Sequence, residues 1–466
     1  MSSAPRTFHI RTFGCQMNEH DSERLAGLLR AEGLEPVASD AEADVVVLNT
    51  CTIRENADLK LFSALGHLKA AKVERPGLRV VVAGCLAQRE RGAIADRAPW
   101  VDVVVGTHNL AATPQLLARS VIEGPVVEVL DAPDPVVSRD AAPALTAVRD
   151  VPYAAWMTIQ TGCDNSCSYC IVPDVRGREI SRPLADLVAE ATVLASRGVS
   201  EITLLGQNVN SYGRDLTGRR PLFADLLRAI GSVEGIERVR FTSPHPKDLR
   251  PETIAAMAET PAVCPQLHLP LQSGSDRILA AMRRGYRAER YLERVSAARA
   301  AIDDLALTTD IIVGYPGESD EDFEATLEVA ARADFDSAFT FIFSPRAGTR
   351  AAALAEQFVP EEIVRERFAR LKELLDRSAL RHHEARLGRR EEILVEGPSK
   401  RNAEVWSGYT RQGKLTHFVP PNDERVRPGA LVEVLIEGAA PHFLRGSMTA
   451  IQRAARHRVR IPLAVT

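Results

Sequence analysis

The first hundred residues alternate short apolar runs with amphipathic stretches. Residues 7–13 read as a strand, and residues 45–48, 80–83 and 101–105 are almost wholly apolar runs of four or five. Between them, residues 21–31, 54–71 and 89–97 carry apolar positions at helical spacing. Buried strands separated by helices predict a parallel sheet covered on both faces, a small doubly wound α/β domain over residues 6–122. Residues 123–148 are dominated by Pro, Asp and Ala and read as a linker, with one short strand at 126–130.

The alternation resumes with a longer period over residues 149–380. Strand-like runs at 154–160, 201–205, 238–242, 266–271, 307–313 and 338–343 are separated by helical patterns such as 184–196 and 290–301. Six βα units in this span predict an open, partial (β/α)6 barrel with its active site at the C-terminal strand ends. Over residues 381–452 the helical period is lost. Runs at 392–395, 430–436 and 443–446, broken by Gly and Pro, predict a small all-β barrel or sandwich.

At 45% apolar and 26% charged residues, the chain is excluded from the disordered and low-complexity classes. It holds no apolar run of 18 residues, and its start lacks the apolar core of a secretory signal, so the expectation is a cytoplasmic protein without a membrane partner. The net charge of −4 conceals an asymmetry: residues 381–466 hold 15 Lys and Arg against 9 Asp and Glu. A basic end on an acidic body fits an anionic partner such as nucleic acid, or a solvated tail.

Seven cysteines are too few for a disulfide scaffold, and six of them fall into two groups of three. Cys163, Cys167 and Cys170 have the spacing C-x3-C-x2-C directly after the first barrel strand. Three thiolates at a barrel mouth favour a four-iron cluster with one iron open to a ligand, the alternative being a zinc site completed by a distant His245 or His268. Cys15, Cys51 and Cys85 lie 36 and 34 residues apart, each just beyond the carboxyl end of a predicted strand. In a parallel sheet those loops share one edge, so the three thiols converge and imply a second cluster; the alternative is three unrelated buried cysteines. Cys264 reads as a structural thiol.

The cysteine loop, with its aromatic before the last Cys, resembles the radical S-adenosylmethionine (SAM) superfamily. From about residue 6 to about residue 450 the chain resembles the methylthiotransferases, in which a cysteine-ligated N-terminal domain precedes the radical core and a TRAM domain follows it. The resemblance is carried by Thr12-Phe13-Gly14-Cys15-Gln16-Met17-Asn18, Asn49-Thr50-Cys51, Gly84-Cys85, Cys170-Ile171-Val172-Pro173, the run from Gly206 to Gly213, Ser243-Pro244-His245-Pro246 and Gln272-Ser273-Gly274-Ser275. Gln16-Met17-Asn18 matches the branch that makes 2-methylthio-N6-isopentenyladenosine in tRNA. It differs from the branches acting on threonylcarbamoyladenosine or on a ribosomal protein.

The resemblance implies two [4Fe–4S] clusters, one on Cys163, Cys167 and Cys170 that binds and cleaves SAM, and one on Cys15, Cys51 and Cys85 that holds the sulfur to be inserted. It implies conversion of C2–H to C2–S–CH3 on N6-(dimethylallyl)adenosine at position 37 beside the anticodon, a second SAM donating the methyl group. An aromatic C–H has no useful acidity, so this chemistry belongs to a cofactor. Gly206, Gln207, Asn208, Ser273 and Gly314, in loops after later strands, are the expected SAM contacts. Arg176, Arg178 and Arg182 are candidate RNA or SAM-carboxylate contacts. The implied partners are a tRNA anticodon loop, a reductant such as flavodoxin or ferredoxin, and sulfur and Fe–S delivery proteins. The TRAM domain would grip RNA, with Arg411 compensating for Tyr409 where such domains often carry Arg. The competing readings are methylthiolation of one of the other two substrates, and a non-catalytic Fe–S protein that binds RNA or senses redox state.

Overall fold

The computed structural model describes residues 5–52, 55–132, 147–149, 151–399, 401–421 and 426–456. The N-terminal sheet is built from β1 (Thr7–Phe13), β2 (Glu35–Pro36), β3 (Val45–Thr50), β4 (Arg79–Ala83), β5 (Val103–Val105) and β6 (Val126–Glu128) in the order β2-β1-β3-β4-β5-β6. Every pairing is parallel. Alternate residues of β3 and β4 serve opposite layers. Val46, Leu48, Val80 and Val82 pack with α2 (Glu55–Glu74), α3 (Cys85–Glu90) and α4 (Gly92–Arg97). Val45, Val47, Val81 and Ala83 pack with α1 (Gln16–Ala31) and α5 (Thr113–Glu123). This is the doubly wound arrangement predicted.

Three expectations are corrected. The first helix starts at Gln16 and not at residue 21, because Asn18, His20, Asp21 and Ser22, polar in pattern, are buried. The helix expected over 89–97 is two short ones, α3 and α4, separated at Arg91, which takes a left-handed φ of 49°. The strand assigned to the linker is β6, the edge of the N-terminal sheet. The rest of the linker, residues 133–146, and the helix start expected at Arg54 lie outside the described residues.

The central barrel strands are β7 (Ala154–Thr158), β10 (Glu201–Leu205), β11 (Arg238–Phe241), β12 (Gln266–His268), β13 (Ala306–Val313) and β14 (Ser337–Ile342). The short antiparallel pair β8 (Gln160–Thr161) and β9 (Ile180–Ser181) brackets the cysteine loop. The barrel is two three-stranded parallel sheets, β11-β10-β7 and β12-β13-β14. They are joined where Val239 bridges Val263, with Val239 N–H donating to Ala262 and Cys264 N–H to Val239. The buried Cys264 therefore serves this seam.

The C-terminal strands are β15 (Arg390–Pro398), β16 (Trp406–Thr410), β17 (Leu415–Val419), β18 (Leu431–Ala440) and β19 (Phe443–Arg453), closed in the order β15-β16-β17-β19-β18. The helix Glu361–Glu384 runs past the predicted boundary at 381 before this barrel begins.

The C-terminal barrel covers the N-terminal ends of the central strands. Arg238, the first residue of β11, donates to Tyr409 O, Glu392 O and Glu392 Oε1, and Arg240 donates to Thr410 O and Arg411 O. Lys414 Nζ meets Asp336 Oδ1 at 2.6 Å, both side chains 5% exposed. Removing one member of a buried pair leaves an uncompensated charge, at a cost of about 3–5 kcal/mol. Lys414→Met is therefore expected to release the C-terminal barrel from the core at lower denaturant, which limited proteolysis across a urea series measures.

Candidate active site

Two glycines bring the N-terminal cysteines together. Cys15 caps the start of α1, Cys51 follows β3, and Cys85 opens α3. The strand order reverses between β1 and β3, so Cys15 and Cys51 flank a topological switch point. A Cβ on Gly14 would stand 2.8 Å from Cys51 Cβ and 2.6 Å from Asn18 Oδ1. Gly84 adopts φ 94° and ψ −161°, a region open essentially to glycine alone, and a Cβ there would meet Asn49 Oδ1 and, at 2.8 Å, Thr50 O.

The thiols differ in acidity. Cys15 is pulled down to about 5, first by a hydrogen bond with Cys51, then by the Arg176 charge and the Asn18 and Met17 N–H groups, against the effect of burial. Burial pushes the Cys85 thiol up, which Arg176 opposes. Cys15 sits at the positive end of a 16-residue helix, an environment that favours the thiolate a metal requires.

The second triad lies in a loop fastened at both ends. Cys163 N–H donates to Gly177 O, and Glu179 N–H to Asp164 Oδ1 at 3.2 Å. Ser168, between the last two cysteines, shares a 2.8 Å hydrogen bond with Tyr315 and donates to Ala281 O. Lys247 donates to Asn165. Arg284 Nη1 donates to Cys167 Sγ at 3.5 Å, and Val172 N–H to Cys170 Sγ at 3.5 Å. Burial pushes Cys163 up to about 11 and Cys170 up to about 12, so a ligated form depends on charge supplied by a bound metal.

Both histidines of the zinc alternative have protein partners. His245 Nδ1 accepts from Lys247 N–H and its ring packs on Tyr286. His268 is held by Thr308 at 3.0 Å and Asp310 at 3.4 Å. Among the described residues no group of three or more His, Cys, Asp or Glu side chains is arranged to hold a metal ion as it stands. The all-thiolate sets fit iron–sulfur clusters.

The barrel mouth separates the expected SAM contacts. Gln207 Oε1 and Asn208 Oδ1 are buried and accept no hydrogen bond. Gln160 Oε1 and Gln272 Oε1, which the sequence reading missed, share that state. Gln160 lies against Gly206 and donates to Asn208 O, so three of these amides are neighbours. Gln272, at φ 69°, follows β12 and pairs with Ile311. Buried acceptors without donors fit an ammonium-bearing ligand.

Ser273 and Gly314 answer to other constraints. Ser273 Oγ faces Thr326 and accepts from Ser275 N–H. A Cβ on Gly314 would meet Val364 Cγ2 at 2.6 Å, so its smallness admits the helix Glu361–Glu384. Arg182 is buried on Thr158 O and Glu190, and Arg176 on Asp21, which removes both from the RNA contacts expected. Arg178 is exposed. Arg411 donates to Glu237 O and Pro261 O, so it holds the two barrels together and does not compensate for Tyr409.

Residues 7–106 match the Uncharacterized protein family UPF0004, and residues 157–330 match the Radical SAM superfamily. The chain is 52% identical over 460 residues to the tRNA-2-methylthio-N(6)-dimethylallyladenosine synthase 1 of Mycobacterium marinum, covering 95% of this chain and 86% of the relative. It is 50% identical over 461 residues to the tRNA-2-methylthio-N(6)-dimethylallyladenosine synthase of Mycolicibacterium smegmatis, covering 97% and 89%. Among solved structures, the radical S-adenosylmethionine methyltransferase TsrM of Kitasatospora setae shares the fold, with a TM-score of 0.56 at 16% identity over 75% of this chain and 77% of that one. With an N-terminal domain and a radical core each bearing three cysteines at strand ends, the chain belongs to the family of the tRNA-2-methylthio-N(6)-dimethylallyladenosine synthases, within the radical SAM superfamily.

Proposed function

We infer that the protein is a tRNA methylthiotransferase that converts N6-(dimethylallyl)adenosine at position 37, next to the anticodon, to its 2-methylthio derivative. The observation that carries the reading is the pair of cysteine triads on adjoining modules, in a chain half identical to synthases named for that product. The cofactors are two [4Fe–4S] clusters and SAM. Cys163, Cys167 and Cys170 would hold one cluster, and Cys15, Cys51 and Cys85 the other. With SAM bound, the first cluster would supply the radical chemistry that an unactivated C–H requires, and a second SAM would supply the methyl group.

The chain's own groups position and neutralise. Gln160, Gln207, Asn208 and Gln272 offer neutral acceptors to the methionyl ammonium. Arg284 donates to Cys167 and places a buried cation beside the SAM cluster. Tyr315 fixes the cysteine loop through Ser168. The electron comes from a small reductant such as flavodoxin or ferredoxin, and sulfur and iron from delivery proteins. No helix among the described residues is long and apolar enough to cross a membrane.

Much of the C-terminal charge is internal. Arg386 and Arg389 meet Asp304, Arg390 meets Glu433, Lys414 meets Asp336, and Arg453 and Arg456 meet Glu237. Arg401, Arg427 and Arg445 are exposed and have no ion pair among the described residues. Among the described residues, they are the cations of this barrel offered to phosphate. Replacing all three by Ala is expected to flatten the log–log salt dependence of tRNA binding by about 2–3, roughly one per phosphate contact.

Nucleoside mass spectrometry of tRNA from cells lacking the gene tests the function. Loss of the methylthio nucleoside with accumulation of N6-isopentenyladenosine is expected. Loss of a different methylthio product would reassign the substrate, and no change in any would overturn the reading.

A further inference from the structure

A buried arginine crosses from one cysteine module into the other. Arg176 ends the short helix α6 (Val172–Arg176), which begins two residues after Cys170. Its guanidinium nevertheless lies in the N-terminal domain, where Nη2 donates to Asp21 Oδ2 at 2.7 Å, the two side chains 7% and 6% exposed. Its positive charge acts on the Cys85 and Cys15 thiols, favouring their thiolates.

The path is held from both sides. Thr107 Oγ1 donates to Val175 O at 2.5 Å, and Ile171 and Val175 pack with Cys85. Burial disfavours the Arg176 charge, but Asp21, Cys85 and Cys15 together more than offset that. A guanidinium has five N–H donors, and Asp21 takes one oxygen's worth. Its charge also reaches the Cys85 and Cys15 thiols.

A thiolate-ligated cluster concentrates negative charge where the effective dielectric is low, and each added electron increases it. A fixed buried cation nearby therefore stabilises the reduced state more than the oxidised one. A nearby carboxylate acts in the opposite sense.

We propose that Arg176 is the electrostatic positioning residue of the N-terminal cluster: carried on the core's own cysteine loop, it raises the reduction potential at Cys15, Cys51 and Cys85, with Asp21 as the opposing counter-charge. This rests on the assignment of that triad to an iron–sulfur cluster. Because the cation belongs to the core, a well-formed core loop and a reducible N-terminal cluster become properties of one docked state.

The test is a redox titration followed by electron paramagnetic resonance. It uses the full chain with Cys163, Cys167 and Cys170 replaced by Ala, reconstituted with iron and sulfide, so that only the N-terminal cluster contributes. Adding Arg176→Met is expected to lower the reduced-to-oxidised ratio about tenfold at a fixed potential, which for one electron is about 59 mV. Arg176→Lys should restore most of that loss. Asp21→Asn should move the midpoint the other way, to higher potential. An ion pair that only joins two domains predicts no such reversal of sign. Unchanged midpoints, or shifts in the same direction for Arg176→Met and Asp21→Asn, would overturn the proposal. If Arg176→Met binds no iron, the direction of the Asp21→Asn shift decides. If the parent without the core cysteines binds no iron, the cluster assignment itself fails and the proposal falls with it.

Discussion

Cys167→Ala is expected to bring 5′-deoxyadenosine formation from SAM down to background, a loss on the order of a thousandfold or more. Cys51→Ala is expected to keep that cleavage within roughly tenfold and to abolish methylthio product. The separation follows from how each loop is held. Cys167 accepts from Arg284, and its loop is fastened by Tyr315, Met282 and Lys247, all within the core. Cys51 belongs to the other module, where it is buried against Gly14 and hydrogen-bonds Cys15. Its removal opens one triad and leaves the fastenings of the other in place. Separate assays of 5′-deoxyadenosine and of methylthioadenosine in tRNA read the two outcomes. Methylthio product from either variant would sink the ligand assignment.

The second large effect is expected of Gly84→Ala, a change of one methyl group that touches no ligand atom. The backbone at φ 94° and ψ −161° costs a non-glycine residue about 1–3 kcal/mol. The added Cβ would also press on Asn49 Oδ1 and Thr50 O. Asn49 cannot yield easily, since its Nδ2 donates to Asn18 O at 2.8 Å and Ser22 Oγ at 2.9 Å. Relief must come from moving Cys85 or the end of β3 that carries Cys51. The expected result is a folded protein with half of its iron and sulfide lost and SAM cleavage retained, measured by metal analysis beside the cleavage assay. Full iron content in a folded variant would contradict the close approach as a requirement.

What the chain disclosed before its structure was known follows physical lines. Strand ends were legible because buried parallel strands are apolar on both faces, and Cys15, Cys51 and Cys85 each sit just past the end of such a run. The start of α1 was hidden because Asn18, His20, Asp21 and Ser22 are polar yet buried; His20 meets Thr158 of the barrel at 2.7 Å, a contact 138 residues away. Arg176 was noticed as a cation near a cluster, but its partner is 155 residues distant and no local pattern points to it. Gln160 and Gln272 left no signal, since a lone amide in a loop resembles any solvated side chain. Strands β16 and β17 were missed because Ser407, Gly408, Thr410, Thr416 and His417 dilute their apolar pattern, and β15 and β18 were found only in part because bulges at Val395/Gly397 and along β18 break their period.

The seam between the two halves of the central barrel gives the C-terminal barrel a mechanical role. A few backbone hydrogen bonds around Val239 and Val263 join the half-sheets directly. The C-terminal barrel grips both sides: Arg238 and Arg240 on one half, and Asp304 with Gln412 and Asp336 with Lys414 on the other. It works as a keystone set into the foot of an arch. A chain cut before β15 would lose a handle for RNA and also the brace that keeps the two half-sheets at a constant angle. The distance across the mouth, where the proposed function has both triads act on one base, would then vary with every opening of the arch.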